Sequence, residues 1–141
     1  MTERSPRTPE EWNEAGAGTF PGHVGVDVLV AEKDEVRARV SIAPAHLAPN
    51  GFLHAGAVVT LADTCCGYGT VANLPEGAVG FTTIELKSNF LGTARDGDLL
   101  CVATPSHRGR TTQVWDAIVT AGSTGKTIAI FRCTQMVLTA K

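Results

Sequence analysis

The sequence has little charge of either sign, and what it has is spread out. Of 141 residues, 12 are Lys or Arg and 14 are Asp or Glu, a formal net charge of −2. No cluster of Lys and Arg builds the basic surface that nonspecific binding to a nucleic-acid backbone requires, so no nucleic-acid partner is expected. None of the four cysteines, Cys65, Cys66, Cys101 and Cys133, stands in a C-x-x-C or Cys/His spacing, so no metal site is expected. The G-x-G-x-x-G and P-loop patterns are missing, and with them the common ways of cradling phosphates. The longest weakly charged stretch, residues 52–74, carries Asp63 at its centre, which costs roughly 2.5–3.5 kcal/mol on insertion scales. No membrane partner is expected. The first residues, Met1-Thr2-Glu3-Arg4-Ser5-Pro6, are polar and unlike a signal peptide. Reduced thiols in a cytoplasmic protein are the simplest expectation.

What is present suits a globular chain: 43% hydrophobic and 18% charged residues, in a length that fits one domain. We expect a tail and short helix over 1–22 and a single domain over 23–141. Thr8-Pro9-Glu10-Glu11 reads as a capping box with Pro at the first helical position, opening a helix around Pro9–Glu14. Gly16, Gly18, Pro21 and Gly22 end it. Val24, Val26, Val28 and Val30 alternate with other residues and predict a strand; Val36, Ala38, Val40 and Ile42 predict a second, joined by a hairpin at Glu32-Lys33-Asp34. After a loop rich in Pro and Gly, a long helix is predicted over about Ala55–Val71, with Val58, Leu61, Ala62 and Cys65 on one apolar stripe. Four strands follow: about 80–91, with Ile84, Leu86 and Phe90 on one face, then Leu99–Thr104, a third around Trp115–Ala121, and Ile128–Leu138. Two strands, one helix and four strands imply an α+β layout, an antiparallel sheet of five to six strands wrapped around one long helix. A single helix leaves sheet edges open, so a second copy is the natural way to protect them.

Asp63 is the most informative residue. It is the only Asp, Glu, Lys or Arg between Gly51 and Leu74, inside a helix that should be buried. Burying an unpaired carboxylate is expensive. It is either a cap or ion-pair partner, or a general base or nucleophile in a cleft. His54-Ala55-Gly56 opens the same helix. It is either an ordinary helix start or one whose free N–H groups, notably that of Ala55, form an oxyanion hole. His54 and Asp63 are nine positions apart, roughly 13 Å along the axis, too far to act on one carbonyl. Two antiparallel copies of the helix can bring one N-terminus to the other copy's Asp63. Cys65 and Cys66 have no local base and read as core. Thr82 and Thr83 offer hydroxyls at a strand start, and the turn His107-Arg108-Gly109-Arg110-Thr111-Thr112 is either a solvated hairpin tip or a phosphate contact.

Taken together, these residues resemble the hotdog-fold acyl-CoA thioesterases, and within them the phenylacetate-degradation type. The resemblance covers about 115 residues, from Val24 to Leu138. Its core is Asn50-Gly51-Phe52-Leu53-His54-Ala55-Gly56, followed by Ala57 to Ala62 and then Asp63. The segments Thr83 to Leu91 and Gly109-Arg110-Thr111-Thr112 also match. The resemblance implies hydrolysis of a thioester to a free acid and CoA, with no cofactor beyond the CoA of the substrate. It implies that Asp63 is the catalytic carboxylate, that the Ala55 N–H polarises the carbonyl with His54 supporting the loop, and that Thr83 positions water. Asn50 stands near where relatives carry a water-positioning amide. Gly56, Arg110, Thr111 and Thr112 are implied contacts to substrate and CoA. The partners implied are an acyl-CoA and further copies of the chain, as a homodimer or dimer of dimers. The sequence departs from the pattern at Ala48, Ala55 and Gly67. A hydratase or dehydratase on the same fold, and a non-catalytic acyl-CoA binder, are the alternatives.

Overall fold

The computed structural model describes residues 5–141; the first four residues of the tail expected within 1–22 lie outside them. Helix α1 spans Pro9–Gly16, where the Thr8 hydroxyl accepts the Glu11 N–H and Pro9 needs no N–H partner. A five-residue helix α2, Phe20–Val24, follows and ends at Gly25, which takes a left-handed conformation with φ +92°. The sequence reading missed this helix and started the first strand too early. Gly22 packs so closely on Gly16 that a Cβ there would sit 2.4 Å from the Gly16 carbonyl oxygen. The glycines read as a plain stop therefore fold the chain into a second helical turn, and Val24 ends that turn rather than starting a strand.

The strands are β1 Asp27–Ala31, β2 Val36–Ser41, β3 Ala78–Phe90, β4 Asp98–Arg108, β5 Thr112–Ala121 and β6 Thr127–Thr139. They form one antiparallel sheet in the order β1-β2-β4-β5-β6-β3. The long helix α3, Ala55–Ala72, lies across one face. This is the α+β hotdog architecture expected, with six strands. A register shift between Thr83 and Glu85 in β3 leaves Ile84 out of simple alternation with Leu86 and Phe90. All three are exposed in the single chain.

The predicted stripe of Val58, Leu61, Ala62 and Cys65 is the helix side of the core, at most 2% exposed. Trp115 of β5 faces α3, where its ring lies against Gly69. A Cβ on Gly69 would meet three Trp115 ring carbons at 2.4–2.8 Å. Alanine in place of glycine favours a helix by about 1 kcal/mol, but such overlap costs about 1–3 kcal/mol or more, so the clash wins. Gly69→Ala is expected to lower the urea midpoint; an unchanged or raised midpoint would contradict this packing.

The two sheet edges differ. At β1, the Asn13 side chain of α1 accepts the Val28 N–H and donates to the Val28 carbonyl, at 2.8 and 3.1 Å. It thus occupies the outward backbone groups a neighbouring strand would use. At the other edge β3 pairs, among the described residues, only with β6; Val79 within it and Leu91 just past its end are 68% and 63% exposed.

Candidate active site

Asp63 sits in the middle of α3, where the apolar run places it against the interior rather than in bulk water. Its Oδ1 is buried and has no hydrogen-bond partner among the described residues. Burial raises its carboxyl above the ordinary value of 3.8. Neither ion pairing nor capping accounts for it, since it appears in no salt bridge among the described residues. One turn on, Gly67 carries no side chain over the carboxylate, and the Phe81 ring of β3 closes down there; a Cβ on Gly67 would lie 3.1 Å from Phe81 Cζ. Asp63 lines a cavity of about 330 Å³ whose other walls include Trp12, Pro21, Gly67, Tyr68 and Phe81. Of these wall residues the sequence singles out Gly67 alone. Trp12 reaches the site because α1, fastened to β1 by Asn13, lays its ring on Tyr68.

His54 is the N-cap of α3, and its Nδ1 accepts the Gly56 N–H at 2.8 Å. Glycine at 56 leaves room for the ring, since a Cβ would come within 2.9 Å of Nδ1. The Gly56 N–H is therefore occupied. The Ala55 N–H has no hydrogen bond among the described residues, so it remains available to an incoming oxygen. Beside it is a second cavity of about 310 Å³, lined by Phe52, Leu53, Ala55, Phe90 and Ile128 among others. Asn50 lies in the turn before this helix start, and its Oδ1 accepts the Phe52 N–H. Eight residues separate Ala55 from Asp63, roughly 12 Å along the axis. One chain thus places the Asp63 carboxylate and the free Ala55 N–H well apart on one helix.

The remaining expected residues lie elsewhere. The Thr83 hydroxyl donates to Gln135 Oε1 at 2.6 Å, and Thr83 does not line the Asp63 cavity. Arg110 and Thr111 are exposed in the β4–β5 turn, with Thr112 opening β5. This turn sits near the C-terminal end of α3, where Arg108 bonds Asn73 Oδ1 and Gln113 bonds the Asn73 carbonyl. Arg108 is paired with Asp34, whereas Arg110 makes no ion pair among the described residues.

The cysteines are free and buried. A hydrogen bond to Cys101 and burial push the Cys65 thiol well up, and a bond to Cys133 and burial do the same for Cys66. Neither is an activated nucleophile. Among the described residues no cluster of His, Cys, Asp and Glu could hold a metal ion, and no helix is long and apolar enough to cross a membrane.

The sequence profile of the thioesterase superfamily matches residues 50–128, more than half of the chain and the whole of α3. The chain belongs to the thioesterase superfamily. Membership makes it a thioester hydrolase. It is 28% identical over 111 residues to a 1,4-dihydroxy-2-naphthoyl-CoA hydrolase of Listeria monocytogenes, covering 79% of this chain and 89% of that protein. It is 31% identical over 110 residues to the protein of that name from Escherichia coli, covering 77% and 79%. The crystal structure of a thioesterase from Haemophilus influenzae superposes with a TM-score of 0.88 at 26% identity, covering 99% of this chain and 96% of that one.

Proposed function

We propose that this thioesterase hydrolyses an acyl-CoA to the free acid and CoA, with Asp63 as the reacting carboxylate in a site shared by two protomers. The observation that carries the proposal is Asp63 itself, a partly desolvated carboxylate with an unpartnered buried oxygen, lining an apolar cavity. A carboxylate so placed suits general-base activation of water or direct attack on the thioester carbon. As base it takes the water proton while the water oxygen adds to the carbonyl, and the tetrahedral intermediate then expels CoA as a thiolate. As nucleophile it forms an anhydride that water opens. Thiols ionise near pH 8.5, so the leaving group departs without a strong general acid. Asp rather than Glu here favours the phenylacetate-degradation type of the fold.

The carbonyl oxygen that becomes negative needs a donor, and the free Ala55 N–H at a helix N-terminus suits it. Within one chain it lies too far from Asp63. The open β3 edge, with exposed Val79 in the strand and Leu91 just past it, supports pairing with a second copy that brings its Ala55 to this Asp63. The outward face of the sheet carries half-exposed Leu100, Ile118 and Ile130, which supports a dimer of such dimers. Two relatives named for a CoA thioester, and the unpaired Arg110 guanidinium beside Thr111 and Thr112, support CoA as the carrier. His54 caps its own helix and has no part in the proton transfers.

Hydrolysis of an acyl-CoA panel, read as free thiol, tests the proposal. Ala55→Pro sharpens it, because proline is favoured at the first helical position and replaces the N–H with a ring Cδ that cannot donate. His54 already has the extended backbone, ψ 132°, that a following proline requires. Ala55→Pro is expected to melt with the wild type yet lose about 10²–10³-fold in kcat. Full activity in this variant would remove the oxyanion role.

A further inference from the structure

The Asp63 cavity is not the only space around Trp12 and Tyr68. A second cavity of about 560 Å³ lies on their other side, bounded by Arg7, Glu32, Lys33 and Val36. Trp12, Tyr68 and Val71 line both spaces. The two rings stack with centroids 3.9 Å apart and planes 12° from parallel. They form a partition between an apolar chamber that holds the carboxylate and an outer chamber with charged walls.

We propose that the Trp12–Tyr68 stack is the end wall of the acyl pocket, so that the enzyme takes apolar acyl groups whose length is limited by this pair. This rests on the thioesterase proposal above, with Asp63 marking the reacting carbon. The chamber beyond Asp63 presents Trp12, Pro21, Tyr68, Val71 and Phe81, which suits a hydrocarbon or ring and offers no charged group to a polar acyl end. The wall is rigid for reasons legible in the chain. Trp12 is 8% exposed and belongs to the main core. It is carried by α1, which Thr8 caps at one end and Asn13 fastens to β1 through Val28. Tyr68 projects from α3 one turn after Thr64, and so from the same rigid element as Asp63. The distance from the reacting carbon to the wall is thereby fixed by one helix and one docked partner. An acyl chain that exceeds it meets two stacked rings rather than solvent.

The test uses S-alkyl-CoA thioethers from butyl to hexadecyl, which cannot be hydrolysed, with affinities measured by calorimetry on the wild type and Tyr68→Ala. Each buried methylene is worth about fourfold in affinity. In the wild type affinity should climb with chain length and then level where the chain meets the wall. In Tyr68→Ala the chambers join, and the climb should continue to longer chains, tightening the longest thioether by at least tenfold while the butyl compound is unchanged. Trp12→Leu opens the same partition from the other side and decides the matter if Tyr68→Ala does not fold. A wild-type profile with no break, or a break unmoved in a folded variant, would overturn the wall. Thioethers that bind with the expected break, in a protein that hydrolyses none of the matching thioesters, would instead overturn the activity and leave the wall standing.

Discussion

Asp63→Asn is expected to lower kcat by about 10²–10⁴-fold, the range that a positioned general base contributes, while the fold stays intact. The amide fills the same space but can neither take a proton nor attack a carbonyl carbon. Its stability should move the other way. Burial raises the Asp63 carboxyl above 3.8, so the folded protein holds the proton more tightly than the unfolded chain. Above the folded value the native state carries a charge that it would more easily lose, and stability is reduced there. Below 3.8 both states are protonated and the penalty is gone. Asp63→Asn should therefore melt higher than the wild type at neutral pH, with the difference shrinking as pH falls through the raised value. Wild-type activity should follow the ionised form, rising with pH through an apparent pKa above 3.8. Thermal melts of both proteins across pH, beside the rate profile, check both signs. A variant that is active, or that melts lower at neutral pH, would show that the carboxylate is structural.

Trp115→Ala should produce the largest loss of stability. The side chain is fully buried, its ring seats on Gly69, and its Nε1 donates to Gln113 Oε1 at 2.9 Å. Truncating a buried Trp costs about 3–5 kcal/mol, and leaving the buried Gln113 oxygen unpaired adds about 1–3 kcal/mol. Against a total of about 5–15 kcal/mol for a typical protein, little remains. The effect reaches the active site, because the Trp115–Gly69 contact sets how close α3 lies to the sheet and so how deep Asp63 sits. A urea midpoint close to wild type would mean that the core can close over the gap.

The strand and helix order was legible because its signals are local. Val36, Ala38 and Val40 alternate, and Leu61, Ala62 and Cys65 recur at helical spacing, so each element announced the face it buries. The burial of Asp63 was legible for a related reason: it is one charge inside an apolar helix, and the structure leaves its Oδ1 buried without a partner among the described residues. The helix start at His54 could be named, but which N–H remains free could not. That depends on the His54 ring folding back onto Gly56, a geometry that spacing does not encode. The wall of the pocket was hidden because it joins Trp12 to Tyr68 across 56 positions, through a ring stack that depends on where α1 docks on β1. The clamp of Asn13 on β1 was hidden likewise, since an Asn in a short helix carries no sign of the edge it covers. The α2 turn was missed because Gly22 is there for its close approach to Gly16, and glycine in a sequence reads equally as a stop.

The central claim is that each active site takes its carboxylate from one protomer and its oxyanion donor from the other. Mixing Asp63→Asn with Ala55→Pro chains, by unfolding and refolding them together, tests it most directly. Each variant alone should be nearly inactive. In a mixed dimer one site carries both defects and the other carries neither. Random reassortment makes about half of the dimers mixed, so activity should return to about a quarter of wild type. Activity that stays at the sum of the two variants, with mixed dimers verified by mass, would contradict a shared site.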